Sequence, residues 1–172
     1  MASPVKLAHL VFRTQQLPEM VAWWQRMLEA QVVFRNEQLA FLTYDDEHHR
    51  LAIVADPKAS EHPRRAVGLE HVAFTFAGLA DLLGKYEQLK ATGTAPYWCV
   101  NHGPTTSMYV RDPDGNQVEL QVDNHPDAES LHAWFRSGAF ARKPMGETFD
   151  PEQLLARHRA GEPDDALLAP TW

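Results

Sequence analysis

Leu7-Ala8-His9-Leu10-Val11-Phe12 returns 62 residues later as Leu69-Glu70-His71-Val72-Ala73-Phe74. The same shift carries Leu17 onto Leu79, Trp24 onto Tyr86 and Met27 onto Leu89, so the likeness extends well past one short run. A repeat of this period signals two copies of one supersecondary unit. Reading one copy therefore predicts the other.

In the first copy, residues 5–13 alternate as a strand should, with Leu7, His9 and Val11 on one face and Ala8, Leu10 and Phe12 on the other. Pro18 then opens a helix to about Ala30, since a missing N–H in the first turn is harmless there. Met20, Trp23, Trp24, Met27 and Leu28 give this helix an apolar stripe that reads as core packing. Short strands follow at 31–35, 39–44 and 49–55, with Asp45-Asp46-Glu47 as the turn before the last. The stretch 56–67, containing Pro57, Pro63, Arg64 and Arg65, reads as a linker. The second copy predicts a strand at 69–76, a helix from Leu79 to about Thr92 stopped by Gly93, and strands near 97–100, 106–111 and 117–122.

The predicted class is thus α+β, two tandem βαβββ modules forming a cupped mixed sheet. The modules occupy about 5–56 and 67–123, within a single domain over 1–124. A helical C-terminal extension takes 125–172. Within it, Pro126-Asp127-Ala128 opens a short helix with Leu131, Trp134 and Phe135 on its apolar side, and Asp150-Pro151-Glu152 caps a second helix to about Arg159. From Ala160 onward the expectation is a fraying end.

Asp112-Pro113-Asp114-Gly115 is a tight-turn signal that joins the last two strands into a hairpin. If Arg111 pairs with Gln117, Tyr109 falls opposite Glu119. Val118, Leu120 and Val122 form the apolar face, so Gln117, Glu119 and Gln121 point the other way.

Composition excludes several partners. The 172-residue chain carries a net charge of -7 and a pI near 5.7, which disfavours nucleic acid and anionic membrane surfaces. Its single cysteine, Cys99, has no internal disulfide partner, and no apolar run approaches membrane-spanning length. The opening residues lack the charged and apolar regions of a signal peptide. A soluble cytoplasmic protein is expected, with exposed aromatic side chains in the tail favouring a homo-oligomer.

His9, His71 and Glu119 each place one metal-capable side chain within an otherwise apolar or alternating run, where a polar group needs a partner. Two imidazoles and one carboxylate with open positions form the facial set of non-haem Fe(II) sites that activate oxygen. The arrangement resembles the vicinal oxygen chelate superfamily, whose paired βαβββ modules enclose a metal. It is most similar to the one-domain type I extradiol ring-cleavage dioxygenases. The resemblance covers about 5–124 and assigns the metal to His9, His71 and Glu119. It also implies an active-site tyrosine at Tyr109 and an acid/base histidine at His49, the second member of the His48-His49 pair. A further family histidine falls at Val100, and His102, two positions later, is the candidate to replace it.

The implied reaction joins a small aromatic diol of the catechol type and O2 at Fe(II), or at Mn(II) in its place, with ring cleavage beside the diol. Two neutral imidazoles and one carboxylate leave a divalent ion one charge short of compensation, which suits a monoanionic catecholate. His49 is placed to exchange protons with the diol, and Tyr109 to hydrogen-bond a bound substrate oxygen. Two rival readings stand beside this one. A glyoxalase-like or thiol-transferase-like metalloenzyme needs a fourth protein ligand, normally a carboxylate on the last strand of the first module, and residues 48–55 contain none. A metal-free module that binds small aromatic compounds has no need of the three donors in register.

Overall fold

The structure, a computed structural model, describes residues 3–60 and 67–172, so Pro63, Arg64 and Arg65 of the expected linker lie outside the described residues. The chain divides into two compact units. One holds the residues up to Gly68 together with the turn Asp112–Asn116, and the other holds Leu69–Arg111 and Gln117–Trp172.

The first unit contains β1 (Leu10–Thr14), α1 (Leu17–Leu28), β2 (Gln31–Arg35), β3 (Leu39–Thr43) and β4 (Leu51–Ala55). Its sheet order is β1-β4-β3-β2, with β1 parallel to β4. The second unit contains β5 (Val72–Thr75), α2 (Leu79–Ala91), β6 (Trp98–Asn101), β7 (Thr105–Arg111) and β8 (Gln117–Asp123). It repeats the order as β5-β8-β7-β6, again with its first and last strands parallel. The opening strands begin at Leu10 and Val72 and the helices at Leu17 and Leu79, so the 62-residue period of the sequence is the period of the fold.

The same pattern fills both cores. Leu17, Trp24 and Met27 are buried, and so are their counterparts Leu79, Tyr86 and Leu89. Trp24 stacks on Phe12 at 5.0 Å between ring centroids, which ties α1 to β1. In β8, Val118, Leu120 and Val122 are buried on the apolar face as predicted. Between β7 and β8 the Asp112 carboxylate accepts from the N–H groups of Asp114 and Asn116 and from the Asn116 amide, while Gly115 takes the left-handed conformation at φ 83°. Those bonds fix the hairpin register, with Arg111 opposite Gln117 and Tyr109 opposite Glu119.

The opening strands are shorter than expected. Residues 5–9 lie outside β1, with Val5 and Leu7 exposed, because the ladder starts only where Leu10 N–H donates to the Arg50 carbonyl. His9 and His71 therefore stand just ahead of their strands rather than within them, and His49 likewise precedes β4. The tail is more ordered than expected. Besides α3 (Ala128–Arg136) it forms α4 (Ala139–Arg142), β9 (Glu147–Thr148), α5 (Pro151–Arg159) and α6 (Asp164–Leu168). The end does not fray at Ala160, because Leu167 of α6 is buried and gives the last segment an anchor. β9 adds a fifth strand to the second sheet, and α5 packs on α2, where Glu152 bonds the Tyr86 hydroxyl and the Lys90 ammonium. Among the described residues no helix is long and apolar enough to cross a membrane.

Candidate active site

One face of the second sheet carries a row of side chains. Ala73 pairs with Glu119, Glu119 with Tyr109, and Tyr109 with Trp98, so all four project to the same side of four adjoining strands. His71, two residues before Ala73, shares that side. The His71 Nε2 lies 2.9 Å from Glu119 Oε2.

Glu119 is only 5% exposed, and a buried carboxylate needs donors or a cation. It has the His71 imidazole and the Tyr109 hydroxyl. Burial, followed by the charge of Glu119, pushes the Tyr109 phenol well above its ordinary range, so it stays a hydroxyl at physiological pH. The Tyr109 hydroxyl also meets His102 Nε2 at 3.0 Å, which joins His102 to the cluster from its loop after β6. Burial is the main reason that the His102 imidazole titrates below the usual histidine value.

The first unit presents a second cluster. The His9 and His49 rings lie 4.5 Å apart, His49 stacks on Phe41 at 4.4 Å with 11° between planes, and His48 Nδ1 lies 2.6 Å from His49 Nδ1. Two ring nitrogens at that distance share one proton between donor and acceptor. Desolvation first, then the neighbouring imidazoles His48 and His9, holds His49 below the ordinary histidine value and favours its neutral, proton-accepting form. Although His9 is outside β1, its approach is held. Arg50 Nη1 donates to the Leu7 and Ala8 carbonyls at 2.5 and 3.2 Å, and Arg50 Nε donates to Asp45 at 2.9 Å.

The second unit thus brings together His71, Glu119, Tyr109 and His102, and the first brings together His9 and His49. Among the described residues no three His, Cys, Asp or Glu side chains are gathered closely enough to hold a metal ion as they stand. The donor chemistry nevertheless fits one: a buried carboxylate faces an imidazole nitrogen, and both residue types are ligands for a divalent ion. Sequence reasoning missed Trp98, which stacks on Tyr109 at 4.7 Å, and Phe41 beneath His49. The register of β6 on β7 was the signal for Trp98, but no turn motif announces it. Phe41 had only its place in an alternating strand.

The sequence model of the Glyoxalase/Bleomycin resistance protein/Dioxygenase superfamily matches residues 6–120. The chain is 43% identical to biphenyl-2,3-diol 1,2-dioxygenase 3 of Rhodococcus globerulus over 169 residues, 97% of this chain and 89% of that one. It is 40% identical to biphenyl-2,3-diol 1,2-dioxygenase 2 of the same organism, over 100% of this chain and 91% of that one. Among solved structures, a glyoxylase/bleomycin resistance protein/dioxygenase domain from Frankia sp. EAN1pec superposes with a TM-score of 0.59 at 17% identity, covering 70% of this chain and 99% of that one.

Proposed function

We propose that this chain, which belongs to the Glyoxalase/Bleomycin resistance protein/Dioxygenase superfamily, is an Fe(II)-dependent extradiol dioxygenase that cleaves an aromatic vicinal diol of the 2,3-dihydroxybiphenyl type with O2. The observation that carries the reading is the His71–Glu119 pair with Tyr109 directly opposite Glu119, in a chain 40–43% identical to two biphenyl-diol dioxygenases. His71 and Glu119 supply two metal donors and His9 the third. A divalent ion held by these residues would supply a cationic centre for binding the diol and activating O2. His49, held neutral by its surroundings, accepts a proton from a diol hydroxyl and returns it as the ring opens. Tyr109, fixed by its register and by His102, hydrogen-bonds the substrate oxygen and orients the ring.

The glyoxalase-like alternative is weakened by the register of the two modules. Val72 pairs with Val118 and Leu10 with Leu51, so the first-module position that corresponds to Glu119 is Ala52. A methyl group stands where that chemistry needs a carboxylate. The metal-free binding module gives no reason for a buried carboxylate to face an imidazole. The test is anaerobic reconstitution with Fe(II), followed by 2,3-dihydroxybiphenyl and substituted catechols with O2. Oxygen uptake in step with a coloured ring-opened product is expected, and tight diol binding with no uptake points to the binding module.

A further inference from the structure

The segment beyond the second module returns to the loop that carries His102. β9 pairs with β6, Thr148 opposite Val100 and Glu147 opposite Asn101. The turn ahead of β9 brings Gly146 against that loop at φ 76°, where a Cβ would overlap the Asn101 carbonyl and stand 2.8 Å from the His102 Cα. From another side α3, which buries none of its nine residues, delivers Trp134 to Gly103. Gly103 has φ 94°, and the six-membered ring of the indole fills the space that a Cβ would take. Only glycine meets both demands. The indole is itself flanked by the His125 and Phe140 rings, at 5.6 and 6.1 Å between centroids.

Two side-chain amides tie the loop from within. Asn101 Oδ1 accepts from the Gly103 N–H at 2.8 Å and from Asn124 Nδ2 at 2.9 Å, while Asn101 Nδ2 donates to the Leu168 carbonyl at 2.9 Å. Asn124 Nδ2 also donates to the Gly103 carbonyl at 3.0 Å, and Asn124 Oδ1 accepts from the Thr106 hydroxyl at 2.8 Å. The Asn124 N–H donates to the Pro104 carbonyl at 2.9 Å. Both amides have their orientation forced, because a main-chain N–H only donates and a carbonyl only accepts. The loop so held presents His102, whose Nε2 lies 3.0 Å from the Tyr109 hydroxyl oxygen. We infer that Trp134 and the Asn101–Asn124 pair are positioning residues that fix the loop 101–104, keep the His102 ring on Tyr109 and thereby keep Tyr109 aimed at the diol. The superfamily match ends at residue 120, so the site is completed by a tail from outside the two modules. The catalytic consequence rests on the dioxygenase reading, whereas the placement of His102 does not.

The test reads the His102–Tyr109 ring contact directly, as cross-relaxation between their ring protons in NMR spectra of the full-length, metal-free protein, with the His102 signals assigned by their loss in His102→Ala. Wild type should show the contact. Trp134→Ala takes the ring away from Gly103, and Asn124→Asp keeps the side-chain shape while removing both N–H bonds, so each should lose it. Trp134→Phe leaves a ring at Gly103 and should retain it. After Fe(II) loading, Trp134→Ala should hold as much iron as wild type and lower kcat on 2,3-dihydroxybiphenyl by about 10²-fold, the scale of a 1 Å misplacement, with KM little changed. In a His102→Ala background the same change should cost no more than about twofold further, because a residue that acts through His102 has nothing left to act on. A wild-type protein without the ring contact overturns the inference whether or not the variants fold. So does a folded Trp134→Ala or Asn124→Asp with the contact intact, an unchanged kcat in a variant that has lost it, or losses that multiply in the double variant. If no diol is turned over even by wild type while the ring contact behaves as stated, the placement of His102 by the tail stands and the dioxygenase reading falls.

Discussion

His71 reaches Glu119 at 2.9 Å although the sheet register pairs Glu119 with Ala73, two residues further along. His71 lies just ahead of β5, and its side chain spans the two-residue offset to reach the carboxylate. Replacing His71, Glu119 or His9 by Ala removes a donor, so each variant should lose most of its bound metal in a stoichiometric iron assay. Because His9 is exposed, His9→Ala should change the stability of the metal-free protein by no more than about 0.5 kcal/mol in urea denaturation. Full iron occupancy in Glu119→Ala contradicts the assignment.

His49→Ala separates proton transfer from coordination. A proton-transfer group can be lost with metal and diol binding intact, and turnover should then fall by about 10²- to 10⁴-fold. Iron content and single-turnover oxygen uptake on one preparation decide the matter. A metal-depleted variant would make His49 a ligand instead.

Arg50 clamps the Leu7 and Ala8 carbonyls just ahead of His9. Arg50→Ala should weaken iron affinity by about 10- to 100-fold, the usual effect of losing a group that orients a ligand. Arg50→Lys should not restore it, since a single ammonium cannot serve both carbonyls and Asp45 in the guanidinium geometry. Competition with a chelator gives the affinities.

The contact between α2 and α5 carries a pH signature. The Lys90 ammonium, then the Tyr86 hydroxyl, holds the Glu152 carboxyl below its ordinary value of 4.5. A depressed folded-state value means that the contribution is complete above 4.5 and is lost as the pH falls through the lower folded value. Wild type should therefore melt above Glu152→Gln at neutral pH, with the gap closing on acidification below 4.5. A gap that widens in acid contradicts this linkage.

The hairpin was the most legible part of the site. Asp112-Pro113-Asp114-Gly115 is local turn chemistry, and once it fixes Arg111 opposite Gln117, Tyr109 must face Glu119. The repeat was legible for a similar reason, since helix starts and core positions recur in the sequence itself. The strand starts at Leu10 and Val72 were not, because alternation shows which way side chains point but not where a partner strand begins to bond. β9 was hidden altogether. Two residues carry no periodicity, and their pairing depends on Gly146 fitting against Asn101, a contact that no local pattern encodes.

β9 has one more effect, on the company the protein keeps. Without it, β6 would end the second sheet as a four-residue row of unsatisfied main-chain groups, a template on which another polypeptide can stack. Glu147 and Thr148 occupy those groups at Val100 and Asn101, and Glu147 brings an ion pair with Lys143 to the border. A strand of two residues with a charge upon it recruits poorly. The tail is thus also a guard against aggregation, and a chain shortened before Glu147 would expose an adhesive border along β6.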